Sequence, residues 1–133
     1  MMSQDTLRIL IADDVPQVRQ GLATMLNLAA RNIQLQIEII GEAQNGREAI
    51  QLASMLNPDV ILMDLEMPVV DGYAATQCIK SARPRVGIIV LTIHHDEPSR
   101  LKAAQAGADA FIDKSAPLDD LLQAIRGFRK TPG

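Results

Sequence analysis

Five polar residues of this 133-residue chain stand where short apolar runs end, and their types suit phosphate and metal chemistry. They are Asp13 and Asp14 after LRILIA, Asp64 after VILM, Thr92 after GIIVL, and Lys114 just after AFI. Carboxylate oxygens are ligands for Mg²⁺, and an ionised carboxylate can act as a nucleophile. A lysine amine can neutralise an approaching phosphate. The five side chains could therefore support phosphoryl chemistry if the fold brings them together.

The elements that must position these residues alternate along the chain. Apolar runs are separated by segments of helical spacing, which is typical of βαβ units and a parallel sheet. Ligands bind such a sheet at the carboxyl ends of its strands, where polar side chains meet. The runs are Leu7 to Ala12, Ile37 to Gly41, Val60 to Met63, Gly87 to Leu91 and Ala110 to Ile112. The sequence predicts an α/β fold with one shared site.

Five segments carry apolar residues at helical spacing and are predicted to be helices. Their expected buried faces are Val18, Leu22, Met25 and Leu26; Ala49, Ile50, Leu52, Ala53 and Leu56; Ala74, Ala75, Cys78 and Ile79; Leu101, Ala104 and Ala108; and Leu118, Leu121, Leu122, Ile125 and Phe128. Pro16 suits the first turn of a helix, and Gly107 suits the C-terminal cap of the fourth. We expect Cys78 to pack as a small apolar side chain.

Three carboxylates at one sheet edge need compensation. Two carboxylates about 4 Å apart repel by roughly 4 kcal/mol at an effective dielectric constant near 20. Protonation of one acid or a bound divalent cation would relieve the repulsion. Each residue also has a simpler role alone: Asp14 can start a helix, Thr92 suits a strand, and Lys114 suits a solvated surface. Their joint occurrence at four strand ends favours a common site.

Composition narrows the classes of function. The net charge is −3 and the basic residues are scattered, so we do not expect the chain itself to bind nucleic acid. The sequence shows no signal peptide and no run of about 20 apolar residues that could span a membrane, and it has one cysteine. We expect a cytoplasmic protein with no membrane partner. The polar tail RKTPG suggests a domain over residues 5–128 and a linker or disordered terminus over 129–133.

Four motifs resemble the receiver domain of bacterial two-component response regulators. They are ILIADD ending at Asp14, ILMDLEMPVVDG around Asp64, IIVLT ending at Thr92 and GADAFIDK ending at Lys114. The resemblance implies a flavodoxin-like, doubly wound parallel sheet of five strands in the order 2-1-3-4-5 with five flanking helices. It also implies a phosphorylation-switched signalling domain. Such a domain is not an enzyme in the usual sense, since it catalyses only its own phosphorylation and dephosphorylation.

The same resemblance implies roles for the clustered residues. Asp64 would be the phosphoacceptor and would take its phosphoryl group from a cognate histidine kinase. Asp13, Asp14 and Asp64, with the backbone carbonyl of Glu66, would bind Mg²⁺. Lys114 would pair with the phosphoryl group.

Further residues would read out or tune the modification. Thr92 would shift to bind a phosphoryl oxygen while Phe111, the aromatic switch, swings inward. The face formed by helix four, strand five and helix five would then rearrange, and a homodimer could form through it. Glu66, Ile93 and His94 stand at positions whose side chains can face the phosphoryl group or restrict access to it, so we expect them to tune its rates.

The segment AGADAFIDKSAPLDDLLQAIR also resembles the subfamily whose receivers precede a LuxR-type helix-turn-helix domain. That would make the chain part of a transcription regulator, which contacts DNA only through a domain not present in this chain. Three alternatives stay open: a stand-alone receiver or receiver-like module acting by protein contact, a phosphatase with an aspartate nucleophile, suggested loosely by DLE, and a flavin or nucleotide carrier. The carrier would need a phosphate-cradling turn after the first strand, where this chain has DDVP.

Overall fold

A computed structural model describes residues 6–93 and 96–128. Within these ranges five strands and five helices alternate, as the sequence predicted. The strands are β1 (Leu7–Ala12), β2 (Ile37–Ala43), β3 (Val60–Asp64), β4 (Gly87–Thr92) and β5 (Ala110–Asp113). The helices are α1 (Pro16–Asn32), α2 (Gly46–Leu56), α3 (Gly72–Ala82), α4 (Glu97–Ala106) and α5 (Leu118–Arg126).

The strands form one parallel sheet in the order β2-β1-β3-β4-β5, which confirms the predicted doubly wound topology. β1 and β3 are neighbours, with Ala12 opposite Met63. Thr92 at the end of β4 lies opposite Asp113 at the end of β5. The strand order reverses beside β1, where such sheets bind ligands. Topology therefore brings the ends of β1, β3, β4 and β5 to one edge of the sheet.

Each face of the sheet has its own buried core. On one face α1 and α5 contribute Leu26 and Ile125, and on the other α2, α3 and α4 contribute Ala53, Ile79 and Ala103. β3 and β4 are buried along their whole length, because side chains on either face meet a layer of helices. No helix in the described ranges is both long and apolar enough to cross a bilayer.

The predicted helix faces were right in α2 and α5 but partly wrong elsewhere. Val18 and Met25 of α1 are 42% and 53% exposed, and Leu101 of α4 is 59% exposed. Ala103 is the buried residue of α4, and Cys78 of α3 is exposed rather than packed. Helical spacing predicts which face of a helix is apolar. How much of that face the sheet covers depends on the position of the helix on the sheet.

Local signals start and stop the helices, and Pro16 and Gly107 act as predicted. Pro16 occupies the first turn of α1, where its missing N–H costs nothing. The side chains of Asn45, Asp71 and Asp96 accept hydrogen bonds from backbone N–H groups at the starts of α2, α3 and α4. Gly107 ends α4 with φ of 109°, a conformation that favours glycine.

Candidate functional site

The ends of β1 and β3 bring three carboxylates together. Asp13 follows β1 directly, and Asp64 is the last residue of the neighbouring strand β3. Asp13, Asp14 and Asp64 each offer a carboxylate oxygen, and these oxygens lie within 4.8 Å of one another. Asp13 and Asp64 are buried, whereas Asp14 is exposed. The cluster is therefore held by the sheet on one side and open on the other.

Lys114 bridges two of these acids. Its Nζ lies 2.8 Å from Oδ2 of Asp13 and 3.4 Å from Oδ2 of Asp64. The backbone N–H of Lys114 donates to the carbonyl oxygen of Thr92 at 3.0 Å, which fixes the lysine to the end of β4. The structure thus brings together the acids and the amine that the sequence placed at separate strand ends.

The pKa values of Asp64 and Lys114 reflect this setting. Burial raises the pKa of Asp64 and nearby Asp13 adds to it, while the charge of Lys114 and the Glu66 N–H work in the opposite direction without cancelling the increase. For Lys114, burial alone would lower the pKa, but the hydrogen bond to Asp13 and the charge of Asp64 outweigh it and raise the pKa. The lysine therefore stays protonated at neutral pH, and Asp64 is a carboxyl group whose ionised form is costly.

Glu66 touches the cluster through its backbone. Its N–H donates to Oδ1 of Asp64 at 3.2 Å, so Oδ1 and Oδ2 of Asp64 face different partners. The Glu66 side chain is exposed. Converging carboxylate oxygens fit a hard divalent cation such as Mg²⁺, which keeps several waters and needs few protein ligands. The roles of the Glu66 carbonyl in metal binding and of its side chain in rate tuning stay predictions.

The loop after Asp64 contains a strained turn that the sequence analysis missed. Val69 has φ of 71°, and the N–H of Val70 donates to the carbonyl of Pro68 at 2.8 Å. A three-residue hydrogen bond across a residue of positive φ is a γ-turn, which is rare and costly for a β-branched residue. The turn is held from outside, since Gly46 N–H donates to the Val70 carbonyl at 3.0 Å. The phosphoacceptor candidate is thus followed by a rigidly held, strained segment.

Replacing Val69 by glycine is expected to raise the free energy of unfolding by about 1 kcal/mol. Backbone strain of about 1–3 kcal/mol is relieved, and the extra freedom of glycine in the unfolded chain offsets part of it. The Val69 side chain is 71% exposed, so little packing is lost. Urea unfolding measures the change, and Val18→Gly is the control, because Val18 is 42% exposed inside α1, where glycine lowers helix stability. A loss for both variants would contradict strain at Val69.

Thr92 and Phe111 lie on the two strands beside the amine. Thr92 is buried, and Phe111 is half-buried with the Arg100 guanidinium carbon 5.6 Å from its ring centre. This cation–π contact joins α4 to the predicted aromatic switch. Ile93 is 64% exposed, and His94 lies outside the described residues. The switching and rate-tuning roles of these residues stay predictions.

Two further features were not found from the sequence. A groove of about 360 Å³ runs between α1 and the β5–α5 segment, with apolar walls and Asp13, Asp64 and Lys114 in its lining. Arg19 of α1 donates from Nη1 to the backbone carbonyl of Asp13 at 2.7 Å, and its Nε lies 2.9 Å from Oε1 of Glu42 on β2. Both depend on how α1 crosses the sheet, which no local pattern specifies.

Comparison with known proteins gives one consistent family. The family model described as the response regulator receiver domain matches residues 9–126. The response regulator protein VraR of Staphylococcus aureus is 37% identical over 121 residues, which cover 91% of this chain and 56% of VraR. The response regulator GacA of Pseudomonas aeruginosa is 34% identical over 120 residues, which cover 90% of this chain and 54% of GacA. The chain spans about half the length of these curated relatives.

Solved structures agree in fold. A two-component response regulator of the LuxR family from Aurantimonas sp. SI85-9A1 superposes with a TM-score of 0.81 and 34% identity, over 92% of this chain and 84% of that chain. The response regulator domain of Thermotoga maritima CheB superposes with a TM-score of 0.82 and 29% identity, over 96% of this chain and 99% of that chain.

Proposed function

The chain belongs to the response regulator receiver domain family, and from that membership we propose that Asp64 accepts a phosphoryl group from a cognate histidine kinase in the presence of Mg²⁺. One observation carries the proposal. The Lys114 amine contacts Asp13 at 2.8 Å and Asp64 at 3.4 Å, beside three converging carboxylates. A nucleophile, oxygen ligands for a cation and an anion-binding amine are the parts that phosphoryl transfer needs.

Each side chain has a definite part in this proposal. A carboxylate oxygen of Asp64 attacks the phosphorus of the kinase's phosphohistidine, the phosphorus–nitrogen bond breaks and the histidine leaves, while the Glu66 N–H holds Oδ1 in place. The Lys114 amine, protonated because its pKa is raised, pairs with a phosphoryl oxygen. Bound by Asp13, Asp14, Asp64 and the Glu66 carbonyl, Mg²⁺ would supply positive charge against the charge that develops on the phosphoryl oxygens. The protein would catalyse only its own phosphorylation and dephosphorylation.

The readout belongs to the same proposal. Thr92 would move toward the phosphoryl group, and Phe111 would swing inward and give up its contact with Arg100. Ala103 is the buried residue of α4, so few buried contacts hold this helix to the sheet. The helix can therefore move when the contact between Arg100 and Phe111 is lost. The face of α4, β5 and α5 would then change shape and serve for homodimerisation or partner docking. Glu66, Ile93 and His94 would set how long the phosphoryl group persists.

The length of the relatives supports a proposal for the output. The matched residues of this chain cover 54% of GacA and 52% of the transcriptional regulatory protein LnrK of Bacillus subtilis. We therefore extend the proposal to a receiver unit over residues 5–128 followed by a linker from 129, which leads to a DNA-binding domain in a cytoplasmic transcription regulator. A stand-alone receiver acting by protein contact is the alternative.

Beryllofluoride with Mg²⁺, which mimics a phosphorylated aspartate, tests the switch directly. Backbone amide resonances of Thr92, Phe111 and α4 are expected to shift when both components are present, because the mimic occupies the Asp64 carboxylate. Omission of Mg²⁺ is the control and should leave the resonances unchanged. A spectrum that does not respond to the complete mixture would indicate a module that acts without phosphorylation.

A further inference from the structure

Arg19 contacts the cluster of three carboxylates through the backbone of Asp13 and not through a carboxylate oxygen. Its Nη1 donates at 2.7 Å to the Asp13 carbonyl oxygen, which belongs to the peptide group that joins Asp13 to Asp14. The other polar atoms of Asp13 are held as well: its N–H donates to the Ala43 carbonyl, and its Oδ1 accepts from the Val15 N–H at 2.9 Å. Asp14 lies between two peptide groups: Arg19 holds the Asp13–Asp14 peptide through its carbonyl, and Oδ1 of Asp13 holds the Asp14–Val15 peptide through its N–H.

The charge of Arg19 is balanced locally. A guanidinium is always protonated, and the Arg19 side chain is 12% exposed, so an unpaired charge there would act on the nearby carboxylates and would repel a cation. Oε1 of Glu42 lies 2.9 Å from Nε of Arg19 and neutralises that charge. What Arg19 contributes to the cluster is thus mainly orientation. This separates it from Lys114, which contacts the carboxylates themselves.

We propose that Arg19 is a positioning residue for Mg²⁺, which holds the Asp13–Asp14 peptide so that both carboxylates face the same cation. The inference rests on the proposed function, because it assumes that the three aspartates bind Mg²⁺. Groups that orient metal ligands without touching the metal change its affinity by about 10- to 100-fold when they are removed. The exposed Asp14, which no strand holds, is the ligand that depends most on such support.

Calorimetric titration of the metal-free protein with Mg²⁺ tests the proposal. Arg19→Gln is expected to weaken Mg²⁺ binding about tenfold, and Arg19→Lys, which keeps a charged donor, should recover part of that loss. If Arg19 acted through charge alone, its removal would strengthen Mg²⁺ binding, so the two explanations predict opposite signs. Unchanged or tighter binding by Arg19→Gln would overturn the proposal.

Arg8→Gln is the matched control. Arg8 Nη1 also donates to a backbone carbonyl at 2.7 Å, that of Asn57, but at the opposite end of the sheet. Thermal unfolding without Mg²⁺ should show that all variants are folded, and Arg8→Gln should bind Mg²⁺ like the wild type. Equal weakening by Arg8→Gln and Arg19→Gln would overturn the proposal as a general loosening of the fold. A wild-type chain that bound no Mg²⁺ would instead contradict the proposed function.

Discussion

Replacing Asp64 by asparagine is expected to lower Mg²⁺-dependent phosphorylation by at least about 100-fold, because the amide has nearly the same shape but is not a nucleophile. The substitution also removes one of three carboxylates whose oxygens lie within 4.8 Å of one another. Incubation with acetyl phosphate and Mg²⁺, followed by intact mass spectrometry, measures the modified fraction. The wild-type chain should gain one phosphoryl group, and the variant should stay unmodified.

Asp71→Asn is the matched control for this result. Asp71 lies seven positions after Asp64 and is exposed, and its Oδ1 caps α3 by accepting from the Ala74 N–H at 2.9 Å. Asparagine caps a helix about as well as aspartate, so the same change of charge is made without loss of structure. Asp71→Asn should be phosphorylated at nearly the wild-type rate. Phosphorylation of Asp64→Asn at that rate would refute the assignment of Asp64.

If the Asp64→Asn variant is folded, its loss of phosphorylation reflects the lost nucleophile and not a lost structure. The raised pKa of Asp64 gives the sign of the expected change in unfolding free energy with pH. A carboxyl group whose pKa is higher in the folded than in the unfolded state stabilises the fold below its unfolded pKa and loses that contribution as the pH rises through the folded value. The wild type therefore loses this stability above pH 3.8, and asparagine does not. The free energy of unfolding of the variant, measured with urea, should therefore rise relative to that of the wild type as the pH increases from acidic to neutral.

Much of the site could be predicted because strand ends are local features of the sequence. The VILM run stops at Asp64 and the LRILIA run stops at Asp13, so a parallel sheet in the observed order must bring them to one edge. Lys114 follows from the same rule, although its strand is not a neighbour of theirs. Its 2.8 Å contact with Asp13 is within reach because a lysine side chain is long.

The features that were missed depend on tertiary geometry. Helical spacing could not show that Met25 and Leu101 stay exposed, because it does not specify how far the sheet extends beneath α1 and α4. Nothing local in the sequence predicts positive φ at Val69, where a β-branched side chain is unfavourable. The contact between Arg19 and the Asp13 carbonyl joins a helix to the strand end before it, and only the crossing of α1 over β1 produces it.

Substitution by alanine is expected to lower the free energy of unfolding at Gly72 and to raise it at Gly21. The difference tests how tightly the loop after Asp64 is packed. A Cβ at Gly72 would lie 2.2 Å from the carbonyl oxygen of Asp64 and 2.7 Å from Cα of Leu65, both backbone atoms. The Gly72 N–H also donates to the Leu65 carbonyl at 2.9 Å, which keeps the two segments together. Relief of the clash must therefore displace Asp64 itself, and we expect Gly72→Ala to cost about 3 kcal/mol or more of unfolding free energy.

Gly21→Ala provides the contrast in the same measurement. Gly21 lies inside α1, and a Cβ there meets no atom within 4 Å, so alanine adds helix propensity without a clash. A gain of about 0.5–1 kcal/mol is expected. The free energies of unfolding of the two variants, measured with urea, should then differ by about 4 kcal/mol. Only Gly72→Ala should also lose phosphorylation, because it displaces the Asp64 carboxylate. Equal stability of the two variants would show that the loop after Asp64 yields easily, and that close packing at Gly72 does not position the phosphoacceptor.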